Sequence, residues 1–252
     1  MAKQKRRRQY DASGRRQRAV ESQERVLDVA RRLFAERGYA ETTIEMIARD
    51  AGIAVPTVFT MFQSKRGVLA ALMNRLVSGQ PGGPPLLQTA GPQAVMNETD
   101  PRRLLALFVA DMNGVQERVG STYEIMKNAA RTEKDVAELL SRAQNYRFAN
   151  LETIAVRLSA LAALRDGLTI EEAARTVWVL ASPEVRQMLL VHAGWTPERY
   201  CTWLEDTLFS ALVRRPDAPP PKPRTRITTD DELPSTARST DEARDRRRRK
   251  PR

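Results

Sequence analysis

Residues 42–62 constrain the chain more than any other stretch. Ile44, Ile47, Ala48 and Ala51 share one face of a helix, and Gly52 stops it. Val55-Pro56 follows at once, and proline suits the first turn of a helix, where its missing N–H has no partner to lose. That next helix runs only to about Phe62, because Ser64 is placed to cap another. Two short helices joined by a tight glycine turn form the helix-turn-helix layout, whose second helix can enter a major groove. The first helix opens at Thr42 or Thr43, and Thr42 with Glu45 three residues on has capping-box spacing. Ile47, Ala51, Ile53 and Val58 are the expected inward residues. Val55, Pro56, Thr57, Thr60 and Met61 are left facing out. That face suits thymine methyls and phosphates and offers no bidentate Arg or Asn to a base edge. Many helix pairs joined by glycine serve only as packing units, so the layout alone leaves both roles open.

The rest of the chain carries helical signals as well. Val26, Leu27, Ala30, Leu33 and Phe34 predict a helix from about Glu21 to Arg37, with Gly38 at its C-cap. Ser64 caps a fourth helix reaching about Val77. Gly79, Pro81, Gly82, Gly83, Pro84, Pro85, Gly91 and Pro92 argue against any regular element over 78–92. Beyond them, Asp100-Pro101, Thr169 with Glu172, Ser182-Pro183 and Thr196-Pro197 read as helix openings. Strand-like alternation is absent. The expected fold is all-α: an N-terminal three-helix helix-turn-helix domain and a larger C-terminal helical domain for ligand binding and dimerisation. The expected divisions are a disordered basic arm over 1–20, the DNA-binding domain over 21–77 and a Pro/Gly-rich linker over 78–98. A helical domain over 99–213 and a disordered basic tail over 214–252 complete them.

Charge points to a polyanion, either nucleic acid or an acidic membrane surface, and tails that are merely soluble and disordered are the bland reading. The chain carries a net +11, and the charge sits at its ends. Residues 1–25 hold nine Lys/Arg and three Asp/Glu, residues 214–252 hold thirteen and seven, and the stretch between is close to neutral. One cysteine, Cys201, excludes an internal disulfide or a cysteine zinc cluster, and one histidine, His192, excludes a multi-histidine metal site. No metal and no cofactor are expected. No apolar run is long enough for a membrane span, and the basic N-terminus lacks the apolar stretch of a secretory signal. These features place the chain in the cytoplasm, with no membrane partner.

Residues 26–72, VLDVARRLFAERGYAETTIEMIARDAGIAVPTVFTMFQSKRGVLAAL, closely resemble the DNA-binding domain of TetR/AcrR-family transcriptional regulators. The matching features come in order: Leu33-Phe34, Gly38-Tyr39, the Thr-Thr pair before Ile47-Ala48, Ala51-Gly52-Ile53, Thr57, Phe59, Phe62 and Ser64-Lys65. The resemblance implies a homodimer, an all-α fold and a C-terminal domain that binds an effector. It implies that Thr43 opens the second helix beside a phosphate, with Thr42 next to it in the DNA-facing set. It places Val55, Pro56, Thr57, Phe59, Thr60 and Met61 on the recognition helix, and Lys65 at a backbone phosphate. Three positions depart from the pattern. Ala54 stands where a serine cap is common, Phe59 replaces a tyrosine, and Met61 replaces a histidine or tyrosine.

The closing segment, Gly167 to Leu204 with its Ser182-Pro183-Glu184 and Gly194-Trp195-Thr196-Pro197 runs, is similar to one subgroup of these regulators. By that resemblance, two long helices near 183–191 and 197–213 make the dimer interface, where Val185, Leu189, Tyr200, Leu204, Leu208 and Leu212 form an apolar stripe. Internal core is an equal reading for any one of them. The family's effector pockets lie between the middle helices, where Phe108, Met112, Tyr123, Met126, Tyr146 and Trp178 supply soft and aromatic surface. The expectation is a sequence-specific regulator that binds a palindromic operator in double-stranded DNA as a homodimer. A small-molecule effector, its identity open, releases it as a repressor. The alternative is an architectural, effector-independent DNA binder driven by its basic tails. An enzyme is disfavoured: no glycine-rich phosphate loop, metal cluster or paired nucleophile and base is visible in the sequence.

Overall fold

A computed structural model describes residues 12–79 and 84–214. Among them, ten α-helices form and no strand does. The helices are α1 (Ala12–Glu41), α2 (Ile44–Ala51), α3 (Val55–Phe62), α4 (Lys65–Ser78), α5 (Ala90–Asn97), α6 (Pro101–Ala129), α7 (Lys134–Ala160), α8 (Ile170–Leu180), α9 (Pro183–Gln187) and α10 (Pro197–Leu212). A short 3-10 turn, Leu86–Gln88, precedes α5, and a π-helical turn, Met188–His192, follows α9.

The expected helix openings are where the chain folds. The side chains of Ser64, Asp100, Ser182 and Thr196 each accept a hydrogen bond from a first-turn backbone N–H. Thr169 and Glu172 complete a reciprocal capping box at α8. Two expectations need correction. The basic arm over 1–20 is helical from Ala12, since α1 extends well ahead of Glu21. Residues 78–92 are not devoid of structure: the 3-10 turn and the start of α5 lie within them. Pro92 is the third residue of α5, where a backbone N–H has no partner inside the helix, so the ring interrupts nothing. The remainder of the expected arm, residues 1–11, and the expected tail beyond Arg214 lie outside the described residues, as do 80–83.

Two apolar cores organise the helices. The first gathers Val26, Leu33 and Phe34 of α1, Ile47 of α2, Val58 of α3 and Leu69 of α4, with the other apolar faces of these helices. The second joins α5, α7, α8 and α10 around the N-terminal half of α6. Helix α6 belongs to both. Leu104, Leu105, Phe108 and Val109 sit in the second core, and Val119, Tyr123 and Met126 sit in the first. A helix of this length is about 44 Å long at 1.5 Å per residue, so it reaches from one core to the other as a rigid rod.

Candidate functional site

The first candidate surface is the α2–α3 unit. Thr43, with φ −112° and ψ 161°, is the N-cap of α2, and its Oγ1 accepts from the Met46 N–H at 3.3 Å. Glu45 folds back toward it. Hydrogen bonds from the backbone N–H of Glu45 and from Thr43 hold the Glu45 carboxyl below the usual carboxylate range. Thr42 is therefore not the cap, and it does not reach the surface where DNA would lie. It is fully buried, and its Oγ1 donates within reach of both the Gly38 carbonyl (2.8 Å) and the Leu33 carbonyl (3.2 Å). Its hydroxyl stitches the end of α1 to the start of α2.

Gly52 ends α2 at φ 65° and ψ 36°, a left-handed conformation that favours glycine. The Ile53 N–H returns to the Ala48 carbonyl at 3.0 Å, which closes the turn. Ala54 then opens α3 with no side-chain cap, and Pro56 lies in its first turn. Val58 and Phe62 face inward and are buried. Pro56, Thr57, Phe59 and Thr60 are exposed, Phe59 by 44%. Val55 and Met61 are half-buried against the core, so the outward face is narrower than the sequence implied. The Thr60 hydroxyl donates to the Pro56 carbonyl at 2.9 Å.

Lys65 has a second occupation besides the phosphate contact that the resemblance implies. Its Nζ donates to the Tyr39 carbonyl at 2.8 Å and to the Ala40 carbonyl at 3.2 Å, and it lies 4.2 Å from the Tyr39 ring centroid. Burial holds this ammonium below the ordinary lysine range, with Glu133 and Asp135 acting against that. Burial also pushes the Tyr39 phenol up to about 12. Lys65 thus fastens α4 to the end of α1, and any phosphate contact would use its remaining N–H.

The second candidate site is a cavity of about 340 Å³. Its walls come from α4 (Ala70, Met73, Asn74, Val77), from the 3-10 turn and α5, and from α6 and α7. Phe108, Met112, Tyr123, Met126 and Tyr146 all line it, as one site. Tyr146 is about half exposed. Trp178 does not join them. It fills the seam between α7 and α8, edge-on to Phe148 with centroids 6.5 Å apart and beside the Arg147 guanidinium. The polar residues of the lining were missed, Asp111, Gln116 and Arg147 among them. Their signal in the sequence was weak, one acid and one amide among the apolar residues of α6. Arg147 donates through Nη2 to the Trp178 carbonyl at 3.0 Å and the Ala181 carbonyl at 2.9 Å. Those carbonyls lie at the C-terminal end of α8, where a cation is favoured. Burial lowers its pKa from the usual guanidinium value.

The expected dimer stripe requires correction. Tyr200, Leu204, Leu208 and Leu212 are wholly buried inside the chain, on the face of α10 turned to α6 and α8. They cannot meet a partner. Val185 and Leu189 are half-buried. Both helices form close to where they are expected, the first running from Pro183 through a π-helical last turn to His192 and the second from Pro197 to Leu212. The exposed apolar residues nearby are Val179, Met188 and Val191. Among the described residues, no cluster of His, Cys, Asp or Glu could hold a metal ion, and no helix is long and apolar enough to cross a membrane.

Comparison with known proteins bears on the α2–α3 unit and on the fold. Residues 26–72 match the model of the bacterial regulatory proteins of the tetR family. A stretch of 67 residues is 37% identical to YvkB of Bacillus subtilis (strain 168), an uncharacterized HTH-type transcriptional regulator. That match covers 27% of this chain and about a third of YvkB, 34%. Among solved structures, NalD of Pseudomonas aeruginosa, the secondary repressor of the MexAB-OprM multidrug efflux pump, is 20% identical. It superposes with a TM-score of 0.58, over 77% of this chain and 98% of NalD. FadR of Bacillus subtilis, a transcriptional regulator in complex with stearoyl-CoA, is 15% identical with a TM-score of 0.60, over 75% of this chain and 98% of FadR. At these identities the structures share the fold.

Proposed function

We propose, from the match of residues 26–72 to the tetR family of bacterial regulatory proteins, that the chain is a cytoplasmic DNA-binding transcriptional regulator whose grip on DNA responds to a small molecule. One observation carries the reading. The cavity borrows a wall from α4, through Ala70, Met73, Asn74 and Val77, and α4 is joined to α3 by a two-residue turn. A ligand that fills the cavity pushes directly on the element next to the candidate recognition helix. Helix α6 adds a second route, because Val119, Tyr123 and Met126 line the cavity and also pack in the core of α1–α4. NalD acts as a repressor, and repression released by the ligand is the reading adopted for this chain.

On DNA, the exposed residues Thr43, Pro56, Thr57, Phe59 and Thr60 form the contact surface, with Lys65 at its edge. A compact head of this size covers one half-site. Two copies then reach successive major grooves about 34–36 Å apart, which demands an inverted repeat. The exposed Val179, Met188 and Val191 belong to the surface assigned to pairing of the two copies.

The test is operator selection from genomic fragments, then anisotropy binding with random DNA in excess. Retained binding to one inverted repeat, occupied by two copies, is expected. Occupation of a single unrepeated half-site by one copy overturns the dimer reading. Equal displacement by random DNA favours the architectural alternative.

A further inference from the structure

The ionic groups around the cavity are not equivalent. Its two arginines are already engaged. Arg147 is bound to the end of α8, and Arg142 is largely exposed and paired with Glu138 at 3.7 Å. Arg118, the cation that acts on Asp111, donates instead to the Leu76 carbonyl at 2.9 Å and the Val77 carbonyl at 3.4 Å, at the end of α4. Asp111 is the one acidic residue of the lining, half-buried, with no hydrogen bond and no ion pair among the described residues. Gly91, in the first turn of α5, makes room for it: a Cβ there would fall 1.9 Å from Asp Oδ1.

Gln116 gives a second, independent observation. It is only 6% exposed, and its Nε2 donates to the Ala181 carbonyl. That bond fixes the amide, and the Gln116 Oε1 is left buried without a donor. A buried acceptor without a partner is costly, and native structures leave few. The cavity wall therefore holds one carboxylate with no hydrogen bond and, closed off behind the lining, one amide oxygen without a donor, which a ligand N–H reaches by a small shift of the Gln116 side chain. The rest of the surface is apolar, including Val95, Phe108, Met112 and Ile154. Its volume of about 340 Å³ is at the small end of ligand pockets.

We propose that the cavity binds an amphipathic organic cation, with an ammonium group at Asp111, an N–H donated to Gln116 Oε1, and an alkyl or aryl body among the apolar residues. The proposal rests on the reading of the cavity as the effector site. Burial raises the Asp111 carboxyl above the usual aspartate range, and an ammonium in contact would bring it down again. Binding is therefore expected to strengthen as pH rises through the Asp111 titration.

Three probes with one tail test this by calorimetry on the full chain: n-decylammonium, n-decanol and n-decanoate. A charge-assisted contact should make decylammonium bind at least about tenfold more tightly than decanol, with decanoate weakest. Asp111→Asn should erase that preference while decanol binding stays, which also shows that the variant is folded. Gln116→Leu should weaken decylammonium and leave n-decyltrimethylammonium, which has no N–H, unchanged. Tighter binding of decanoate, a preference that survives Asp111→Asn, or no binding by any probe overturns the proposal. The operator-binding assay, run without ligand, is read separately, so loss of the ligand class and loss of the regulator reading are told apart.

Discussion

The α1–α4 head and the α5–α10 body treat their buried polar groups in opposite ways. In the head, the buried Thr42 hydroxyl lies within hydrogen-bond distance of two carbonyls. In the body, four buried atoms have no partner among the described residues: Gln116 Oε1, Arg157 Nε, Trp178 Nε1 and Tyr200 OH. An unmade bond inside a protein costs about 1–3 kcal/mol, so the body carries a burden that the head does not. On the function proposed above, the head is a fixed tool that holds one shape against DNA. The body surrounds a cavity, and one of its unmet groups, the Gln116 Oε1, belongs to a residue of that cavity's wall.

Backbone closeness gives the largest test of this contrast. At Gly67, in the first turn of α4, a Cβ would lie 1.8 Å from the Phe62 carbonyl oxygen. A backbone atom cannot swing away, so Gly67→Ala must push α3 and α4 apart. We expect a loss of about 3 kcal/mol in urea denaturation, together with loss of DNA binding. Gly91→Ala in the body meets Asp111 Oδ1, the end of a side chain that can rotate, and should cost only about 1 kcal/mol. Equal losses at the two glycines would remove the claim that the head is the more tightly determined part.

The same difference decides what could be read from the sequence. The head's signals are local: a threonine before an apolar stripe, a glycine at φ 65°, a proline in a first turn, a serine cap. Each acts within about one helical turn, so spacing alone reveals it. What failed there was the choice between Thr42 and Thr43, two adjacent residues of the same chemistry. Where α1 breaks at Gly38 decides between them, because that break puts Thr42 inside the head. In the body, periodicity gave the stripe of Tyr200, Leu204, Leu208 and Leu212 correctly. It could not say whether the stripe meets this chain or another copy, since both are apolar surfaces. Asp111 and Gln116 gained their meaning only when α5 and α7 closed over them. That is a long-range fact, and no local pattern encodes it.

Two hydroxyl deletions should move stability in opposite directions. Thr42→Val removes a donor and leaves the Leu33 and Gly38 carbonyls without it, at a cost of about 2 kcal/mol. Tyr200→Phe removes an oxygen that is buried with no partner, and whose proton burial holds up to a pKa of about 12. Its loss relieves an unmet group and should gain about 1 kcal/mol. Thermal denaturation at one pH reads both. A destabilised Tyr200→Phe would mean that the hydroxyl has a partner in solution, such as a water, and would weaken the contrast between head and body.

The smallest expected effect lies at the start of the candidate recognition helix, where the head lacks a device that the body has. Ala54 has the extended N-cap conformation, φ −63° and ψ 136°, but no side chain to cap with. Thr169 in the same position of α8 completes a full capping box. Ala54→Ser supplies the missing oxygen. An N-cap serves the second or third N–H of its helix, and at α3 the second residue is Pro56, which has none. Only the Thr57 N–H remains, and it already reaches the Ala54 carbonyl at 2.9 Å. The new bond therefore shares a donor that is in use, and the gain should be about 0.5 kcal/mol, the low end of the capping range. Thr169→Ala, which dismantles both halves of its box, should cost about 1 kcal/mol by the same measurement. A gain at Ala54 as large as the loss at Thr169 would show that the first turn of α3 frays in the free protein, and that DNA, rather than the head alone, completes the helix.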